Sequence, residues 1–440
     1  MKILHAALIA LLSVFGLHEV RGEDPTSANQ DTVRGVLTNH APSTEDLITI
    51  VEHNAELKAM LEKSIAIAAR INPDRSTNPA QSLEEYYDFL DWAATAMPFN
   101  ILPSAERLPK LYEQIDQSLN YFYFLIDQPL EELEGRGLYH NTVQYVEPFR
   151  SWMILFTKRW GEFLSTPASW SDMFLARVED DERFGLQRGW YESPSNWKTF
   201  NQFFTRRLSS PDVRPIASPN DDRIVVAPAD SAPQGIWQIN GDSRIVGARS
   251  ANSGVVIKST RFDSVANLLG PGCEYADRFA NGVLTHTFLD VNDYHRYHFP
   301  LSGKILEVRT IYADDAIGGV TTWDESSGRY LLNDTIPGWQ TIETRACLII
   351  DTGDTGVVAV MPIGMSQVSS VIFNESVVPG ATVTKGNEMG FFLFGGSDIV
   401  MLFEERAGFE LIAPTQPGTS NKYKHVLMGE AYGKITGSGK

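Results

Sequence analysis

The stretch FFLFGGSDIVMLFEE, residues 391–405, places two glycines and a serine between two apolar runs. Both runs have the length and composition of β-strands. Gly395 and Gly396 predict a tight turn between them, because glycine adopts backbone conformations that other residues avoid. A turn alone does not explain why a serine follows.

Ser397 directly follows the carbonyl of Gly396, which no side chain shields. The G-x-S-x-G nucleophile elbow of α/β-hydrolases is not met, because Ile399 stands at the position of its second glycine. Ser397 could instead attack the neighbouring carbonyl, if a histidine takes its proton and a carboxylate orients that histidine. Such chemistry requires both groups elsewhere in the chain.

Two of the nine histidines stand three residues apart in LDVNDYHRYHFPLSG, residues 289–303. One interpretation of His295 and His298 is a metal site. The helical H-E-x-x-H pattern is absent and Pro300 disfavours a continuing helix, so we predict no metal. The second interpretation is acid–base catalysis, because imidazole exchanges protons near neutral pH. The third is a pair of partly buried, hydrogen-bonded histidines at a strand end, and the spacing leaves the last two open.

The composition is that of a globular protein with two structural units. The 440 residues are 43% hydrophobic and 11% aromatic, enough for a substantial core. Acidic residues outnumber basic residues 55 to 37, which gives a formal net charge of −18. This excess argues against nucleic acid as a partner, because phosphate backbones are bound by clustered Lys and Arg. It also weakens the case for docking on an anionic membrane.

Residues 1–22 have the pattern of a secretory signal peptide. Lys2 precedes an apolar segment, and Val20 and Gly22 are small residues at the −3 and −1 positions of a cleavage site. An uncleaved anchor and a buried helix are the alternatives. No later apolar run reaches the roughly 18 residues of a membrane span. We therefore expect a secreted or secretory-pathway protein that is soluble after cleavage, with a disordered or processed segment at 23–42.

Residues 43–197 predict a helical N-terminal domain. Its first helix begins with a capping box, Ser43 with Asp46, and ends before Pro73. Aromatic stripes in the later helices favour a buried core over membrane contact or a ligand pocket. Further helices are predicted near 82–96, 104–126 and 142–164.

Residues 198–440 predict a second, mainly β domain, so the fold class is α+β. The segment FNQFFTRRLSSPDVRPI, residues 200–216, predicts a docking helix and a linker, with three phenylalanines and Leu208 on one face. Further along, short apolar runs alternate with Gly, Pro, Asn and Asp turns, which favours an antiparallel barrel or a sandwich-like unit. The runs include RIVVAPA, SGVVIKS, GKILEVRTIY, ACLIIDT, TGVVAVMPIG, SQVSSVIF and DIVMLFEE.

The cysteines and two asparagines leave alternatives open. Cys273 and Cys347 could form one disulfide in an oxidising compartment or remain free buried thiols. Asn333 in NDT and Asn374 in NES match the N-glycosylation pattern. Chance alone supplies about this number of matches, so they support secretion only weakly.

Three motifs, in this order and spacing, resemble the phosphatidylserine decarboxylase family of pyruvoyl-dependent enzymes. They are VAPADS at 226–231, DYHRYHFPLSGKI at 293–305 and FGGSDIVMLFE at 394–404. FNQFFTRRL and RPI extend the resemblance to about residues 198–412. The helical N-terminal half and the overall length resemble the fungal subgroup that includes the L-tryptophan decarboxylases, although that half carries no sharp motif.

The resemblance implies a proenzyme that cleaves itself between Gly396 and Ser397. Ser397 would attack the Gly396 carbonyl and take over the acyl group. Elimination and loss of ammonia would then leave a pyruvoyl group at position 397, with a β chain ending at 396 and an α chain beginning at 397. Asp230 and His298 would complete an Asp-His-Ser relay, and His295 would serve substrate binding and proton transfer. The two histidines could exchange these roles.

The implied chemistry needs no cofactor other than this covalent pyruvoyl group. The substrate amine would form a Schiff base with its ketone, which takes up the electrons left when CO₂ departs. The substrate is either phosphatidylserine, giving phosphatidylethanolamine, or a free aromatic amino acid such as L-tryptophan, and membrane contact is expected only for the lipid. A rival hypothesis is a secreted binding protein on the same fold that is neither processed nor catalytically active.

Two positions depart from the family pattern. Asp398 follows the serine, where membrane-type members usually carry threonine, and Ser231 stands in VAPADS where glycine is common. Asp398 could slow maturation, orient the substrate amine, or be a solvated carboxylate at a strand end.

Overall fold

The structure is a computed structural model that describes most of the chain from His40 onward. The predicted signal peptide and residues 23–39 lie outside the described residues. None of the described helices combines the length and the apolarity that crossing a membrane requires. The described residues are 40–98, 111–136, 141–246, 256–257, 260–261, 264–312, 320–333, 344–364, 370–394, 396–416 and 423–437.

The N-terminal part is helical, as predicted. Most aromatic side chains of its fourth and fifth helices are buried in one hydrophobic core with the first three helices, and Trp160 of the fifth is buried in a second core, which confirms that the aromatic stripes are core. One short helix, α8 Val265–Leu269, lies between strands further along. The preceding helices in the described residues are α1 Pro42–Glu52, α2 Ala55–Ile71, α3 Leu83–Ala93, α4 Ile115–Ile126, α5 Phe149–Phe163, α6 Asp172–Asp180 and α7 Phe200–Phe204.

The start of the first helix differs from the prediction. Pro42 is the first residue of the helix and follows Ala41. No side chain caps the helix, so the prediction of a capping box formed by Ser43 and Asp46 is wrong. Proline suits this position because its missing N–H would have no partner there. The single helix predicted up to Pro73 is also interrupted before α2.

The interruption lies at Asn54. The Asn54 side chain accepts a hydrogen bond from the backbone N–H of Leu57 at 3.0 Å and so caps α2. Asparagine is among the residues that favour this position, because its short side chain reaches the unsatisfied N–H groups of the first turn. The apolar spacing continues across the break, which is why the pattern alone predicts one helix.

The remainder is mainly β, as predicted. Its strands are β1 Ile224–Val226, β2 Ala232–Ile239, β3 Ile245–Val246, β4 Val256–Ile257, β5 Thr260–Arg261, β6 Val283–Phe288, β7 Arg296–His298, β8 Gly303–Ile311, β9 Val320–Asp324, β10 Arg329–Asn333, β11 Arg345–Asp351, β12 Val357–Gly364, β13 Val371–Phe373, β14 Thr382–Val383, β15 Glu388–Phe392, β16 Gly396–Phe403, β17 Phe409–Leu411 and β18 Ala431–Ile435.

The largest sheet has eight strands in the order β14-β8-β11-β12-β16-β6-β2-β3. Smaller sheets have the orders β1-β18-β17 and β13-β15-β7, and β9 with β10 and β4 with β5 form two-stranded pairs. Every strand pair in the described residues is antiparallel. The described strands close no barrel, so the sandwich-like α+β alternative is the one observed.

Strand β16 lies in the middle of the large sheet and contributes to two cores. Ile399 and Met401 belong to a cluster on one face, whereas Val400 and Leu402 belong to a cluster on the other, as the alternation of side chains in a strand requires. The first cluster also contains Trp160 and residues of α7. The helical part and the sheet therefore share a core.

The predicted docking helix is shorter than expected. Its Phe200, Phe203 and Phe204 are buried, as predicted, but α7 ends at Phe204. Leu208 lies beyond the helix and forms an isolated antiparallel bridge with Tyr191. Residues 40–440 form one compact unit, and the predicted domain boundary at 197/198 stays a prediction.

Cys273 and Cys347 are both free thiols, as in the second of the two alternatives, but only Cys347 is buried. Contact with the Cys347 thiol lowers the pKa of Cys273 to about 7. Asn374 donates from its side-chain amide to Glu388, and Asn333 is the last residue of β10. Glycosylation at both positions stays a prediction.

Candidate active site

The predicted cleavage position lies at the start of β16. Gly396 is the first residue of this strand rather than part of a turn, and Gly395 lies outside the described residues. Gly396 is paired with Gly364 and Asp398 with Ile363, so Ser397 has no opposite residue on β12. This irregularity is a β-bulge, a feature that redirects the backbone and occurs often beside active sites.

His295 is a buried, neutral base. Its ring Nδ1 lies 2.9 Å from the carbonyl oxygen of Asp293. A carbonyl only accepts, so Nδ1 carries the hydrogen and Nε2 keeps the lone pair. Nε2 is buried and has no partner among the described residues. Burial, and secondly the charge of Arg206, lower the pKa of His295 well below its usual value.

The backbone and one aromatic ring place His295 beside the cleavage segment. Its carbonyl accepts a hydrogen bond from the N–H of Phe392, four residues before Gly396. Its ring stacks on Phe204 with 3.7 Å between centroids, and Phe204 in turn contacts Phe394. The structure therefore brings the histidine motif against the segment that leads into the Gly-Ser motif.

His298 is also buried, but both of its ring nitrogens are engaged. Nδ1 donates to the carbonyl of Gly386 at 2.8 Å, and Nε2 accepts from the Tyr294 hydroxyl at 3.1 Å. Burial lowers the pKa of His298, while the Gly386 carbonyl and the charge of Glu388 oppose this. Unlike His295, it offers no open lone pair in this arrangement.

Asp230 forms a buried ion pair with Arg214. The guanidinium donates to both carboxylate oxygens, from Nε at 3.0 Å and from Nη2 at 2.6 Å, and the N–H of Met428 donates at 2.7 Å. Asp230 is near enough for its charge to raise the pKa of His298. Its hydrogen bonds, however, go to these other groups, and the predicted Asp-His-Ser relay stays a prediction.

Asp398 is buried and paired, so the interpretation as a solvated strand-end carboxylate is wrong. Only 1% of its side chain is exposed, and its Oδ1 contacts Nε2 of His286 on β6. Asp398 stands opposite Phe288, two residues from His286, which makes the pair a diagonal neighbour across adjacent strands. Asp398 Oδ2 is buried without a partner among the described residues.

Ser231, the other departure from the family pattern, is buried, and its hydroxyl is hydrogen-bonded on both sides. Its hydroxyl accepts from Thr287 at 2.7 Å and donates to the carbonyl of Ala229 at 3.1 Å. Its backbone pairs with Val426. Ser231 thus ties the segment that carries Asp230 to β6.

The described residues contain one group with metal-ligand geometry, and it lies away from His295 and His298. His40, Asp88 and Asp91 bring ligand atoms within 4.8 Å of one another. Nδ1 of His40 is already bound to Asp91 at 2.7 Å. The two histidines of the predicted site are not part of this group.

A family model described as phosphatidylserine decarboxylase matches residues 200–434. The chain belongs to the phosphatidylserine decarboxylase family. The matched range contains all the predicted site residues, Asp230, His295, His298, Gly396 and Ser397.

Several relatives carry the name phosphatidylserine decarboxylase proenzyme. The chain is 32% identical over 257 residues to proenzyme 2 of rice, Oryza sativa subsp. japonica, covering 57% of this chain and 36% of that protein. It is 28% identical over 269 residues to the Saccharophagus degradans proenzyme and 31% identical over 274 residues to that of Alcanivorax borkumensis. These matches cover 57% and 58% of this chain and 85% and 83% of the relatives. The chain thus spans about a third of the rice protein but most of the bacterial ones.

Two residues at this decarboxylase-family site were missed from the sequence. His286 stands in the alternating strand run VLTHTF, where a lone histidine carries no signal until the neighbouring strand is known. Arg206 stands in FFTRRL beside Arg207, and the pattern does not distinguish the buried arginine from the exposed one. A basic residue two positions after a buried aromatic helix was the only available sign.

Proposed function

We propose that this chain is a proenzyme that cleaves itself between Gly396 and Ser397 and then removes the α-carboxylate of phosphatidylserine. The family and the names of the bacterial relatives support this activity. The observation that carries the proposal is the open, buried Nε2 of His295, held by backbone hydrogen bonding to the strand that leads into Gly396.

The residues around the start of β16 fit a pyruvoyl group formed from Ser397. His295 Nε2 is a proton acceptor without a partner among the described residues, and so is Asp398 Oδ2, one peptide unit from the serine. Such orphaned buried acceptors are costly unless a ligand satisfies them. The group itself would supply a ketone that takes up the electrons released when CO₂ leaves.

The proton chemistry then follows from the states of the two histidines. Nε2 of His295 accepts a proton from the substrate ammonium, which must be neutral before it can react, and returns a proton to Cα after CO₂ has left. During maturation, His298 takes the Ser397 hydroxyl proton only after its Nε2 releases the Tyr294 hydroxyl. The buried Asp230 would stabilise the resulting imidazolium.

Substrate and location complete the proposal. Phosphatidylserine is proposed over a free amino acid because the relatives named above are phosphatidylserine decarboxylase proenzymes. The signal-peptide pattern of residues 1–22 supports a place in the secretory pathway, where the enzyme would meet its lipid on a membrane surface.

Maturation is tested on the purified full-length protein by mass spectrometry. We expect two fragments, one ending at Gly396 and one beginning with a pyruvoyl group at position 397. Ser397→Ala should abolish cleavage, because it removes the attacking hydroxyl. Ser326→Ala, which removes the hydroxyl of an exposed serine in the turn between β9 and β10, is the control and should cleave normally. A single intact wild-type chain would instead support the non-catalytic binding protein.

The substrate is tested with the cleaved protein. Vesicles containing phosphatidylserine and solutions of L-tryptophan are supplied separately, and CO₂ release is measured. We expect release from the vesicles together with phosphatidylethanolamine. Release from L-tryptophan alone would contradict the proposed substrate while leaving the proposed reaction type intact.

A further inference from the structure

The strand pairing of β16 ends close to the proposed cleavage point. On one side, Asp398 stands opposite Phe288, the last residue of β6, so β6 pairs with no residue of β16 before position 398. On the other side, Gly396 is paired with Gly364 of β12, and the bulge leaves Ser397 without an opposite residue. Residue 397 therefore depends on its two neighbours in the chain for its position.

Cleavage would remove one of these two supports. Gly396 would become the end of the β chain, and its pairing with Gly364 would no longer hold the α chain. The pyruvoyl group at position 397 would then be attached to the sheet only through Asp398 and the residues after it. Chain ends fray unless contacts hold them, and a catalytic group displaced by about 1 Å can lose about 100-fold in rate.

Asp398 has the first described side chain after the cleavage point, and it is bound to His286. Oδ1 of the carboxylate accepts a hydrogen bond from Nε2 of His286, because an ionised carboxylate has no hydrogen to donate. His286 lies on β6, before the cleavage point, so this contact would join the α chain to the β chain. Only 1% of the Asp398 side chain and 12% of the His286 side chain are exposed. Such burial strengthens the hydrogen bond, because little water competes for it.

His286 also offsets a cost that Asp398 brings to the strand end. A buried carboxylate loses its hydration, and other groups must replace the lost water. Oδ2 of Asp398 is buried without a partner, so His286 is the only described side chain that binds this carboxylate. Without His286, the strand end would lower its free energy by leaving the sheet, because Asp398 would then be hydrated.

We propose that His286 is a positioning residue for the pyruvoyl group, which it holds in the sheet through Asp398. This inference rests on the proposed function and deepens it by naming what keeps the catalytic group in place after cleavage. In the uncleaved chain the peptide bond to Gly396 gives a second support, so His286 matters mainly in the cleaved enzyme. A threonine at position 398, usual in membrane-type members, buries no charge and needs no such partner.

Hydrogen exchange of the backbone amides at 398–400 measures how firmly the strand end is held. In protein shown by mass spectrometry to be cleaved, His286→Ala should speed this exchange about tenfold or more, because a charged hydrogen bond is lost. The amides of β18 should keep their wild-type rates. In the uncleavable Ser397→Ala chain, the same substitution should have a much smaller effect. Equal acceleration in both chains would indicate a general structural role, and no acceleration in the cleaved chain would exclude any role in holding the strand, so either result would overturn the proposal.

A second substitution tests whether His286 acts through Asp398. Asp398→Thr removes the buried carboxylate and with it the need for a partner. The double variant His286→Ala/Asp398→Thr should therefore exchange at 398–400 more slowly than His286→Ala alone, close to the wild-type rate. Exchange in the double variant as fast as in His286→Ala, or faster, would contradict the proposed connection.

Two amide variants of His286 guard against a substitution that fails to fold. Glutamine is long enough to place an N–H near the position of Nε2, whereas asparagine is shorter and loses the contact with Asp398. Cleaved His286→Asn should therefore exchange at 398–400 severalfold faster than cleaved His286→Gln. Equal exchange rates in these two variants would overturn the proposal.

Turnover of phosphatidylserine vesicles tests the consequence for catalysis. His286→Asn should still be cleaved but should lose about tenfold or more in kcat, because the pyruvoyl group is less well held, and His286→Gln should lose less. Glu410→Gln changes an exposed carboxylate on β17, in the same α chain, and should match wild type. An uncleaved wild-type chain would contradict the proposed function. A cleaved, active wild type together with an undiminished kcat in His286→Asn would overturn only the role of His286.

Discussion

His295 and His298 are close in sequence but differ in what their Nε2 atoms can do. In His298 this atom already accepts the Tyr294 hydroxyl, whereas in His295 it is an open acceptor in the described structure. Burial favours the neutral form of both rings, since it penalises the charged form. His295 is therefore ready to accept a proton over a wider range of pH than an exposed histidine.

The state of His295 predicts an unusual pH dependence. With the proposed decarboxylase, kcat/KM should stay flat from pH 7.5 to 6, because the pKa of His295 lies well below its usual value. A histidine of ordinary pKa, about 6.5, would be roughly three-quarters protonated at pH 6. His295→Gln should retain cleavage and lose about 100-fold or more in decarboxylation, whereas the matched variant His298→Gln should lose cleavage. An acid limb centred near pH 6.5 would contradict this prediction.

Residue spacing identified the candidate groups but not their contacts. The motifs placed Asp230, His295 and His298 at one site, and the structure brings their segments together. The partners of these groups depend on distant segments. Asp398 meets His286 only because β16 and β6 are neighbours in this register, and no local pattern in either strand encodes that pairing.

At the scale of elements, the hairpin of β9 and β10 links the two parts of the fold. Tyr330 is buried among aromatic residues of the helical part, 4.9 Å from Phe124 between ring centroids. Its N–H donates to Gln117 at 2.8 Å, and its hydroxyl donates to the carbonyl of Thr77 at 2.9 Å. A hairpin from the family-matched part thus completes the core of the helices that lie outside it.

Truncating this side chain should destabilise the protein strongly. Tyr330→Ala removes a buried aromatic ring and its hydrogen bonds, so the free energy of unfolding should fall by about 3–5 kcal/mol. Leu331→Ala is the matched control in the same strand; its side chain is 43% exposed, and we expect a change within about 0.5 kcal/mol. Urea unfolding of both variants measures the difference. If Tyr330→Ala lowers the free energy of unfolding by less than Leu331→Ala does, the hairpin does not stabilise the helical part.

The spacing of apolar residues predicted the type of most elements. Apolar residues alternate with polar ones in strands and recur every three to four residues in helices, because one side of each element faces the core. They did not predict the end of α1 at Glu52 or the bulge at Ser397. A capping asparagine can interrupt a helix without breaking its apolar stripe, and a bulge is a property of two strands in register. The helix Phe200–Phe204 is short because the following segment turns to pair with Tyr191, again a distant contact.

For the whole molecule, the proposed cleavage would divide the chain without dividing the fold. The segment after Ser397 supplies β16, which is hydrogen-bonded to β12 on one side and to β6 on the other. It also supplies β18, which pairs with β1, and Tyr432, whose hydroxyl contacts Thr285 at 2.8 Å. Two chains joined by a central strand stay together because separation would expose the cores on both faces of the sheet.

A buried acid makes the stability of this whole assembly depend on pH. Asp127, directly after α4, accepts from Gln144 at 2.8 Å and from the N–H of Thr321 on β9 at 3.1 Å. Burial raises the pKa of Asp127 to about 8. The unfolded chain, with an aspartate pKa of about 3.9, releases this proton first as pH rises. Between about pH 4 and 8 the folded state therefore holds more protons, and its stability falls with rising pH.

Replacing Asp127 by asparagine should remove this dependence. Asp127→Asn loses an acceptor, at a constant cost of about 1–2 kcal/mol, but cannot ionise. Relative to wild type, its free energy of unfolding should rise between pH 5 and 8 by up to about 1.4 kcal/mol per pH unit. The exposed Asp354 gives the control variant Asp354→Asn, which should follow wild type. Urea titrations at four pH values decide the matter, because parallel curves for Asp127→Asn and wild type would mean that Asp127 is already ionised in the folded protein.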